Sequence, residues 1–320
     1  MAEHNETRQL ILDTADKIFS DNCDKALQDA AERGEYPAPL WQLLVENGFN
    51  QLGSAGSGTE AADMYAFIQA CGRYAVPVPI ADTLLVNSWL GDDNGASAVG
   101  LVHDGKIHGA LWGRQASRVV GVVQGELDVL VCTAPALASE GVNMAGEPSD
   151  TIQAEGAERV TLEQDPFAQM ALTRVNLMAG CLQATLDLGI QFATEREQFG
   201  RSISKFQAIQ HSLAVVAAEV AAAKRAADAA VDALASDRFL FEVAASKARV
   251  GEAVGIVAEQ VHQIHGAMGF THEHRLHHFT RRIWAWRDEW GNEFYWNSVL
   301  GSHLASLGAD HVWRFIATQN

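Results

Sequence analysis

The stretch from Arg196 to Leu213 joins two helices through a short polar corner. One helix reaches Arg196, a turn at Gln198-Phe199-Gly200 interrupts it, and a second amphipathic helix follows. Gly200 permits the interruption because glycine adopts backbone conformations that other residues avoid, and Ser202 is placed to cap the second helix. Apolar residues then recur in steps of three and four, the helical period, at Ile203, Phe206, Ile209, Leu213, Val216 and Val220.

This corner is rich in positive charge, with Arg196, Arg201 and Lys205 close to the start of the second helix. Free amides at a helix N-terminus and guanidinium groups together make a natural anion site. Considered alone, Arg196 would equally suit a surface ion pair with Glu195 or Glu197. The residues around it favour the anion site.

Two motifs resemble the acyl-CoA dehydrogenase family. The first is Arg196-Glu197-Gln198-Phe199-Gly200-Arg201, followed by Phe206-Gln207-Ala208, and the second is Gln263-Ile264-His265-Gly266-Ala267-Met268-Gly269-Phe270-Thr271. The second is similar to the family's Gln-x-x-Gly-Gly-x-Gly-aromatic element, with Ala267 in place of the second glycine. The resemblance is clear over residues 171–301. It favours a flavin contact for Gln263 over the alternative of a satisfied amide in the core.

In the family these elements contact the flavin adenine dinucleotide (FAD) of a neighbouring subunit. The resemblance therefore implies that this chain contributes to FAD shared across a subunit interface. The implied contact residues are Arg196, Phe199, Gln207, Gln263, Gly266 and Ala267.

The family's catalytic base is not found at its usual positions. A glutamate before a glycine is expected late in the chain, after an Arg-Asp pair, but this chain has Arg281-Arg282 and then Trp290-Gly291. The alternative position, at the start of the first bundle helix, is Met170. Weak candidates for a relocated carboxylate base follow in sequence: Glu289, Asp288 and Glu293.

The family's flavin-ring loop is also missing. A flavin ring needs backbone amides and a hydroxyl at its polar edge, and the family supplies them from a Thr-Glu-Pro-x-x-Gly-Ser-Asp loop. Only Glu147-Pro148-Ser149-Asp150 echoes that loop, and it comes late. We therefore expect that this chain does not hold a flavin ring of its own.

The whole chain has 320 residues, 48% of them hydrophobic, and a net charge of −17 from 40 acidic and 23 basic residues. This charge argues against nucleic-acid and anionic-membrane partners. No apolar run is long enough to span a membrane, and no signal peptide is expected at the N-terminus. Four widely spaced cysteines suggest reduced thiols. A cytoplasmic location is the resulting expectation.

The pattern predicts a mostly α fold with a small β subdomain, similar to acyl-CoA dehydrogenases. We expect an N-terminal helical domain (1–95), a reduced middle β domain (96–164) and a C-terminal four-helix bundle (165–320). One long helix is predicted over Glu6–Glu32, with Thr59 capping a later one. Strands are predicted between Ser97 and Thr133, whereas residues 140–163 are predicted to be irregular with a possible strand at Arg159–Leu162. Bundle helices are predicted over 171–193, 203–235, 239–266 and 280–307.

Three further features have more ordinary interpretations. His272, His274, His277 and His278 lie in a charged stretch without nearby cysteine, so a solvated or interface surface is expected and no metal is assigned. Glu259 and His262 fit a di-iron Glu-x-x-His motif, but that site needs a second copy, which the sequence lacks. The tryptophans near Trp290 suggest core or interface packing, with Trp290 closing a vestigial pocket as the alternative.

The resemblance thus implies a non-catalytic subunit of a heteromeric (α2β2) acyl-CoA dehydrogenase of steroid side-chain breakdown. A paralogous partner subunit would carry the base and the flavin-ring loop, and the substrate would be an acyl-CoA. Two alternatives stay open. One is a self-sufficient flavin enzyme with a relocated carboxylate, and the other is a structural or regulatory pseudoenzyme.

Overall fold

The computed structural model describes residues 2–93 and 95–317. Helices, a β-sheet and a second set of helices follow one another along the chain, which confirms the predicted fold class. The exact domain boundaries stay predictions. Met1, Asn94 and residues 318–320, which the predicted ranges include, lie outside the described residues.

The N-terminal unit is helical. Its helices are α1 (Ala2–Asn22), α2 (Lys25–Glu32), α3 (Ala38–Glu46), α4 (Ala61–Arg73) and α5 (Ile80–Leu90). The prediction of one helix over Glu6–Glu32 is wrong, because the Asp24 carboxylate accepts a hydrogen bond from the amide of Leu27 at 2.8 Å and starts a new helix there. Thr59 is also not a cap, since Glu60 and Asp63 cap α4 reciprocally.

The middle unit is a seven-stranded mixed sheet with strand order β5-β6-β2-β1-β3-β4-β7. Its strands are β1 (Ser97–His103), β2 (Lys106–Leu111), β3 (Arg118–Val122), β4 (Asp128–Cys132), β5 (Leu137–Ser139), β6 (Ser149–Gln153) and β7 (Glu158–Thr161). β1 and β3 are parallel, and the other neighbouring strands are antiparallel. The sequence predicted irregular structure where β6 lies, yet β6 inserts between β5 and β2.

The C-terminal unit is the expected bundle, with α6 (Pro166–Glu195), α7 (Gln207–Asp232), α8 (Phe239–His265), α9 (Leu276–Asp288), α10 (Glu293–Leu307) and α11 (Ala309–Ala317). The predicted single helix over 280–307 is wrong: Trp290 and Gly291 have φ of 58° and 89°, and α10 starts anew with Asn292 as its N-cap. α7 begins later than predicted, because residues 203–205 form a 3₁₀ turn and Phe206 is extended.

Helix α6 is the centre of the molecule and packs against α4, α7, α8 and α9. Its contact with α4 is unusually close: a Cβ on Gly180 would lie 1.8 Å from the carbonyl oxygen of Gln69, and a Cβ on Gly72 would lie 2.0 Å from that of Leu177. Glycine is therefore required at both positions. All four cysteines are buried and free. Among the described helices, none combines the length and apolar character needed to cross a membrane.

Candidate functional site: an exposed cofactor-side corner and a filled interior

A β-hairpin connects α6 to α7 at the corner where the sequence predicted cofactor contacts. Its strands β8 (Glu197–Gln198) and β9 (Arg201–Ser202) are joined by Phe199-Gly200 alone, with φ of 53° and 77°. Two positive φ angles define a type I′ turn. Bulky residues rarely adopt this conformation, and holding one there costs about 1–3 kcal/mol.

The aromatic ring at the hairpin tip faces solvent. Phe199 is 93% exposed, and its ring meets that of Phe206 edge to face with 6.2 Å between the ring centroids. The Arg201 guanidinium lies 4.3 Å from the centroid of the Phe206 ring, a cation–π arrangement. The corner therefore displays an aromatic side chain in a strained backbone conformation, which is a feature typical of binding sites.

The first turn of α7 fits an anion. Phe206 occupies its N-cap position and supplies no side-chain hydrogen bond, so the leading amides are not covered by a cap. Gln207 is the first helical residue and is exposed, as is Arg196. Ser202 is not the cap of α7 as predicted, because its Oγ accepts from the amide of Ser204 at 3.3 Å and caps the 3₁₀ turn instead.

Arg196 makes no side-chain ion pair with any of the residues described in the structure, including Glu195 and Glu197. The structure therefore gives no support to the ordinary interpretation of a surface ion pair. Its guanidinium is available to an external anion.

The second predicted element forms a 3₁₀ turn, residues 266–270, directly after α8. Gln263, Gly266 and Ala267 are all exposed. Gln263 is therefore not a core amide. Two large apolar side chains of the same turn are also exposed, Met268 by 46% and Phe270 by 75%.

A small apolar cluster holds the two elements at one end of the bundle. Ala193 of α6, Ile203 beside the hairpin and Ile264 of α8 are buried together, with Phe192 and Phe206 packed against them. The structure thus brings both motifs, and all the residues predicted to contact FAD, to the same end of the molecule. Their role in binding stays a prediction.

Two histidines, the buried His265 and the half-buried His262, support this end of the bundle, a packing role that the sequence analysis did not predict. His265 stacks on Phe192 with 4.3 Å between ring centroids, and His262 stacks on Phe270 at 4.8 Å. Burial lowers the pKa of His265 to about 4 and lowers the pKa of His262. Both rings are therefore neutral near pH 7 and pack as flat apolar surfaces. The spacing of Glu259 and His262 suggested only a di-iron motif, and nothing in the sequence indicated the stacking of either ring.

The predicted solvated surface of four histidines is only partly correct. His272 is exposed, His274 and His277 are half-buried, and His278 is fully buried. His278 is buried because α2 covers this part of α9, where Glu32 contacts its ring. A sequence cannot show that contact between residues so far apart in the chain.

Both usual positions of the catalytic base are filled by buried apolar side chains. Trp290 is 5% exposed and packs edge-on against Phe167, with 5.7 Å between ring centroids. Its carbonyl accepts a hydrogen bond from Nε1 of Trp296 at 3.0 Å. Met170 is fully buried in α6. The prediction that Trp290 is packing material is consistent with these contacts.

A buried lysine holds the turn that carries Trp290. Lys247 of α8 donates from Nζ to the carbonyl oxygens of Arg287 and Gly291, each at 2.7 Å. Burial lowers the pKa of Lys247 to about 7. The sequence analysis missed this residue, although a single lysine within an apolar helix is a visible signal.

The three candidate carboxylates do not stand free in an enclosed pocket. Glu289 accepts from Nε of Arg174 at 2.6 Å and lies 3.4 Å from Nδ2 of Asn143. Glu293 accepts a short hydrogen bond from Arg287, and Asp288 is exposed at the end of α9. A general base must reach its proton directly, so Glu289 and Glu293 would first have to leave their arginine partners.

Ion pairs occupy the interior around this position. Arg174 is fully buried and also donates to Asp82 of α5 at 2.8 Å. Arg282, where the family has aspartate, is fully buried and donates to Glu147 at 2.9 Å. These pairs link the N-terminal helices, the sheet and the bundle. The enclosed space among them is about 20 Å³, which holds a single water, whereas ligand pockets measure roughly 300–1,000 Å³.

The residues Glu147-Pro148-Ser149-Asp150, which partly resemble the flavin-ring loop, make contacts within the chain that stabilise the fold. Glu147 binds Arg282, and Asp150 is fully buried against Arg114, which reaches it from Nη2 at 2.6 Å. Ser149 pairs with Leu111 in the sheet. These groups are engaged within the chain, so this side does not fit a flavin ring. The exposed corner with Arg196 does fit the anionic part of a dinucleotide.

Comparison with known proteins agrees with this architecture. Residues 161–287 match the family model of the acyl-CoA dehydrogenase C-terminal domain. The acyl-CoA dehydrogenase IpdE2 of Mycobacterium tuberculosis is 29% identical over 302 residues, covering 87% of this chain and 91% of the relative.

Solved structures extend the likeness over nearly the whole chain. In the ChsE4-ChsE5 complex from Mycobacterium tuberculosis, one chain aligns with a TM-score of 0.84 at 19% identity, covering 95% of this chain and 98% of that one. A variant of the Tcur3481-Tcur3483 steroid ACAD aligns with a TM-score of 0.80 at 15% identity, covering 95% and 99%. The chain is therefore a relative of the acyl-CoA dehydrogenases: its residues 161–287 belong to their C-terminal domain family, and its described length has their fold.

Proposed function

We propose that this chain is the non-catalytic subunit of a heteromeric, FAD-dependent acyl-CoA dehydrogenase. Its residues contact FAD that is bound mainly by a paralogous partner subunit, and the partner carries the catalytic base. The reaction of the complex is the α,β-desaturation of an acyl-CoA thioester. The chain by itself is inactive.

The observation that carries this proposal is the contrast between the two sides of the molecule. The corner that resembles a neighbour's cofactor contact is exposed, with Arg196 unpaired by its described neighbours and Phe199 at 93% exposure. The positions that would serve the chain's own chemistry are filled by Trp290 and Met170. A subunit that contacts a partner's cofactor needs exposed residues at the corner, and it does not need a catalytic base of its own.

The exposed residues have distinct tasks at the shared site. Arg196 and the uncapped first turn of α7 bind the negatively charged diphosphate of FAD. Gln207 and Gln263 supply polar contacts, and Phe199 covers the cofactor and excludes water. Gly266 and Ala267 leave room for close approach of the cofactor. Bound FAD would supply the acceptor for the hydride that leaves the substrate, and the partner's carboxylate would take the proton.

The relatives support the heteromeric assembly and the substrate class. One structural neighbour is a ChsE4-ChsE5 complex, and another is described as a steroid ACAD. We therefore assign the chain to an α2β2 heterotetramer that acts on the CoA thioester of a steroid side chain, in the cytoplasm. The substrate and the assembly rest on these likenesses.

The test is the flavin content of the full chain, measured by visible absorbance after purification alone and after co-expression with a paralogous acyl-CoA dehydrogenase subunit from the same organism. We expect flavin only in the co-purified complex, at one FAD per pair of chains. Full occupancy of the chain alone would favour a self-sufficient enzyme, and Glu289, Asp288 and Glu293 would then be tested as its base.

The variant Arg196→Ala in the co-expressed complex distinguishes the proposed function from that of a pseudoenzyme that binds no flavin. The shared-site proposal expects reduced flavin retention. Unchanged flavin content with intact assembly would favour a structural or regulatory role instead.

A further inference from the structure

We propose that Asp29, His277 and His278 form a Zn²⁺ site that joins α2 to α9. One ligand atom from each of the three residues lies within 4.8 Å of the other two. The residues come from two helices at the contact between the N-terminal unit and the bundle. This site does not depend on the proposed role in flavin binding.

The hydrogen bonds of both imidazoles prepare them as metal ligands. Nδ1 of His277 lies 2.8 Å from the carbonyl oxygen of His274, which can only accept, so Nδ1 carries the proton and Nε2 the lone pair. Nδ1 of His278 lies 2.6 Å from Oε1 of Glu32. Such partners on the second nitrogen orient metal-binding histidines and raise their basicity.

The second nitrogen of His278 is the group that needs an explanation. This ring is fully buried, and its Nε2 has no aligned hydrogen bond to any described residue. It nevertheless lies 3.0 Å from Oδ1 of Asp29. Ligand atoms on a tetrahedral zinc, each at about 2.0–2.2 Å from the ion, lie roughly 3.3–3.6 Å apart, so a small further separation of these two atoms would admit the ion between them.

Nearby positive charges are already paired and hold the acidic groups in place. Lys25 binds the other oxygen of Asp29, with Nζ 2.6 Å from Oδ2. Arg281 binds Oε2 of Glu32 at 3.0 Å. Lys25 thereby leaves Oδ1 of Asp29, which lies 3.0 Å from Nε2 of His278, for the ion.

The donor set selects the kind of ion. Two imidazole nitrogens and one carboxylate oxygen suit Zn²⁺, which takes such ligands at about 2.0–2.2 Å with a water completing the tetrahedron. Mg²⁺ and Ca²⁺ prefer oxygen ligands alone. Because the ligands belong to two helices, bound zinc would fasten α2 to α9.

The experiment uses the full chain, purified without a polyhistidine tag, stripped with EDTA and dialysed. Calorimetric titration with ZnCl₂ should give one saturable equivalent, and ZnCl₂ should raise the melting temperature while MgCl₂ does not. His277→Gln and Asp29→Asn should each weaken zinc binding by at least about tenfold. His211→Gln, an exposed histidine on α7, is the matched control and should bind zinc normally.

The rival arrangement is a metal-free imidazolium, in which protonated His278 bridges Asp29 and Glu32. Absence of a saturable equivalent would overturn the zinc proposal in favour of that bridge. So would zinc binding that both ligand variants retain at wild-type strength. Flavin content is measured separately, so failure here leaves the proposed function standing.

Discussion

Replacing Trp290 tests the conclusion that this side chain fills the interior where a catalytic base would lie. A tryptophan buries roughly 150–250 Å², which at about 25 cal/mol per Å² is about 4–6 kcal/mol. Trp290 is only 5% exposed. We therefore expect Trp290→Ala to lower the free energy of unfolding by about 3–5 kcal/mol, the range for large-to-small core changes.

The backbone at this position predicts the order of two variants. Trp290 has φ of 58°, a conformation that costs a residue with a Cβ about 1–2 kcal/mol. Glycine avoids that cost but loses about 0.5–1 kcal/mol through its freer unfolded chain. Trp290→Gly should therefore be as stable as Trp290→Ala or slightly more so, the reverse of their order within a helix.

The assay is thermal and urea unfolding followed by circular dichroism, with Trp313→Ala as control because Trp313 is 76% exposed. Adding indole or benzene should restore part of the lost melting temperature, since an apolar cavity binds such ligands. A loss below about 1 kcal/mol for Trp290→Ala would refute the filled interior. A clearly more stable alanine variant would refute the backbone argument.

Three further predictions concern charge and pH. Arg196→Ala should reduce flavin retention of the co-expressed complex without changing the chain's melting temperature, whereas Arg225→Ala on exposed α7 surface should change neither. Arg174→Met should lower the free energy of unfolding by about 3–5 kcal/mol because it leaves the buried carboxylate of Asp82 unpaired. Glu289→Gln keeps the pair of Arg174 with Asp82 and should lower the free energy of unfolding by about 1–3 kcal/mol. Both values are measured by urea unfolding. Burial lowers the pKa of His265 to about 4, so below about pH 6.5 the unfolded chain binds a proton that the folded chain does not. Stability should therefore fall from about pH 6.5 to 4, and His265→Leu should flatten that part of the melting-temperature profile.

The succession of an N-terminal helical unit, a β unit and a C-terminal helical unit could be predicted from the sequence. Hydrophobic periodicity and the Gly and Pro residues that end helices and strands are local signals. Local signals failed at two places, one where a helix N-cap ends the preceding helix and one where a strand depends on its partner. The break at Asp24 interrupts an apolar stripe that otherwise continues, and β6 has too little apolar alternation to be recognised before its pairing with β2 is known.

At the site, the two motifs were recognisable because each lies within a short stretch. The ion pairs that fill the interior were not. Arg174 meets Asp82 and Glu289 only through the fold, 92 and 115 positions away in the chain. Lys247 likewise acts on carbonyl groups of a different helix, and no residue pattern specifies a backbone acceptor.

The turn that Lys247 holds restricts what a single substitution at Trp290 can achieve. A glutamate in place of Trp290 would put a carboxylate against Phe167, where the nearby Lys247 already donates to two backbone carbonyl oxygens. An uncompensated buried charge costs several kcal/mol, a large share of the 5–15 kcal/mol that a typical domain has in total. A single substitution at Trp290 is therefore not enough to install a carboxylate base at this position. The ion pairs of Arg174 and the hydrogen bonds of Lys247 would have to be rearranged together with it.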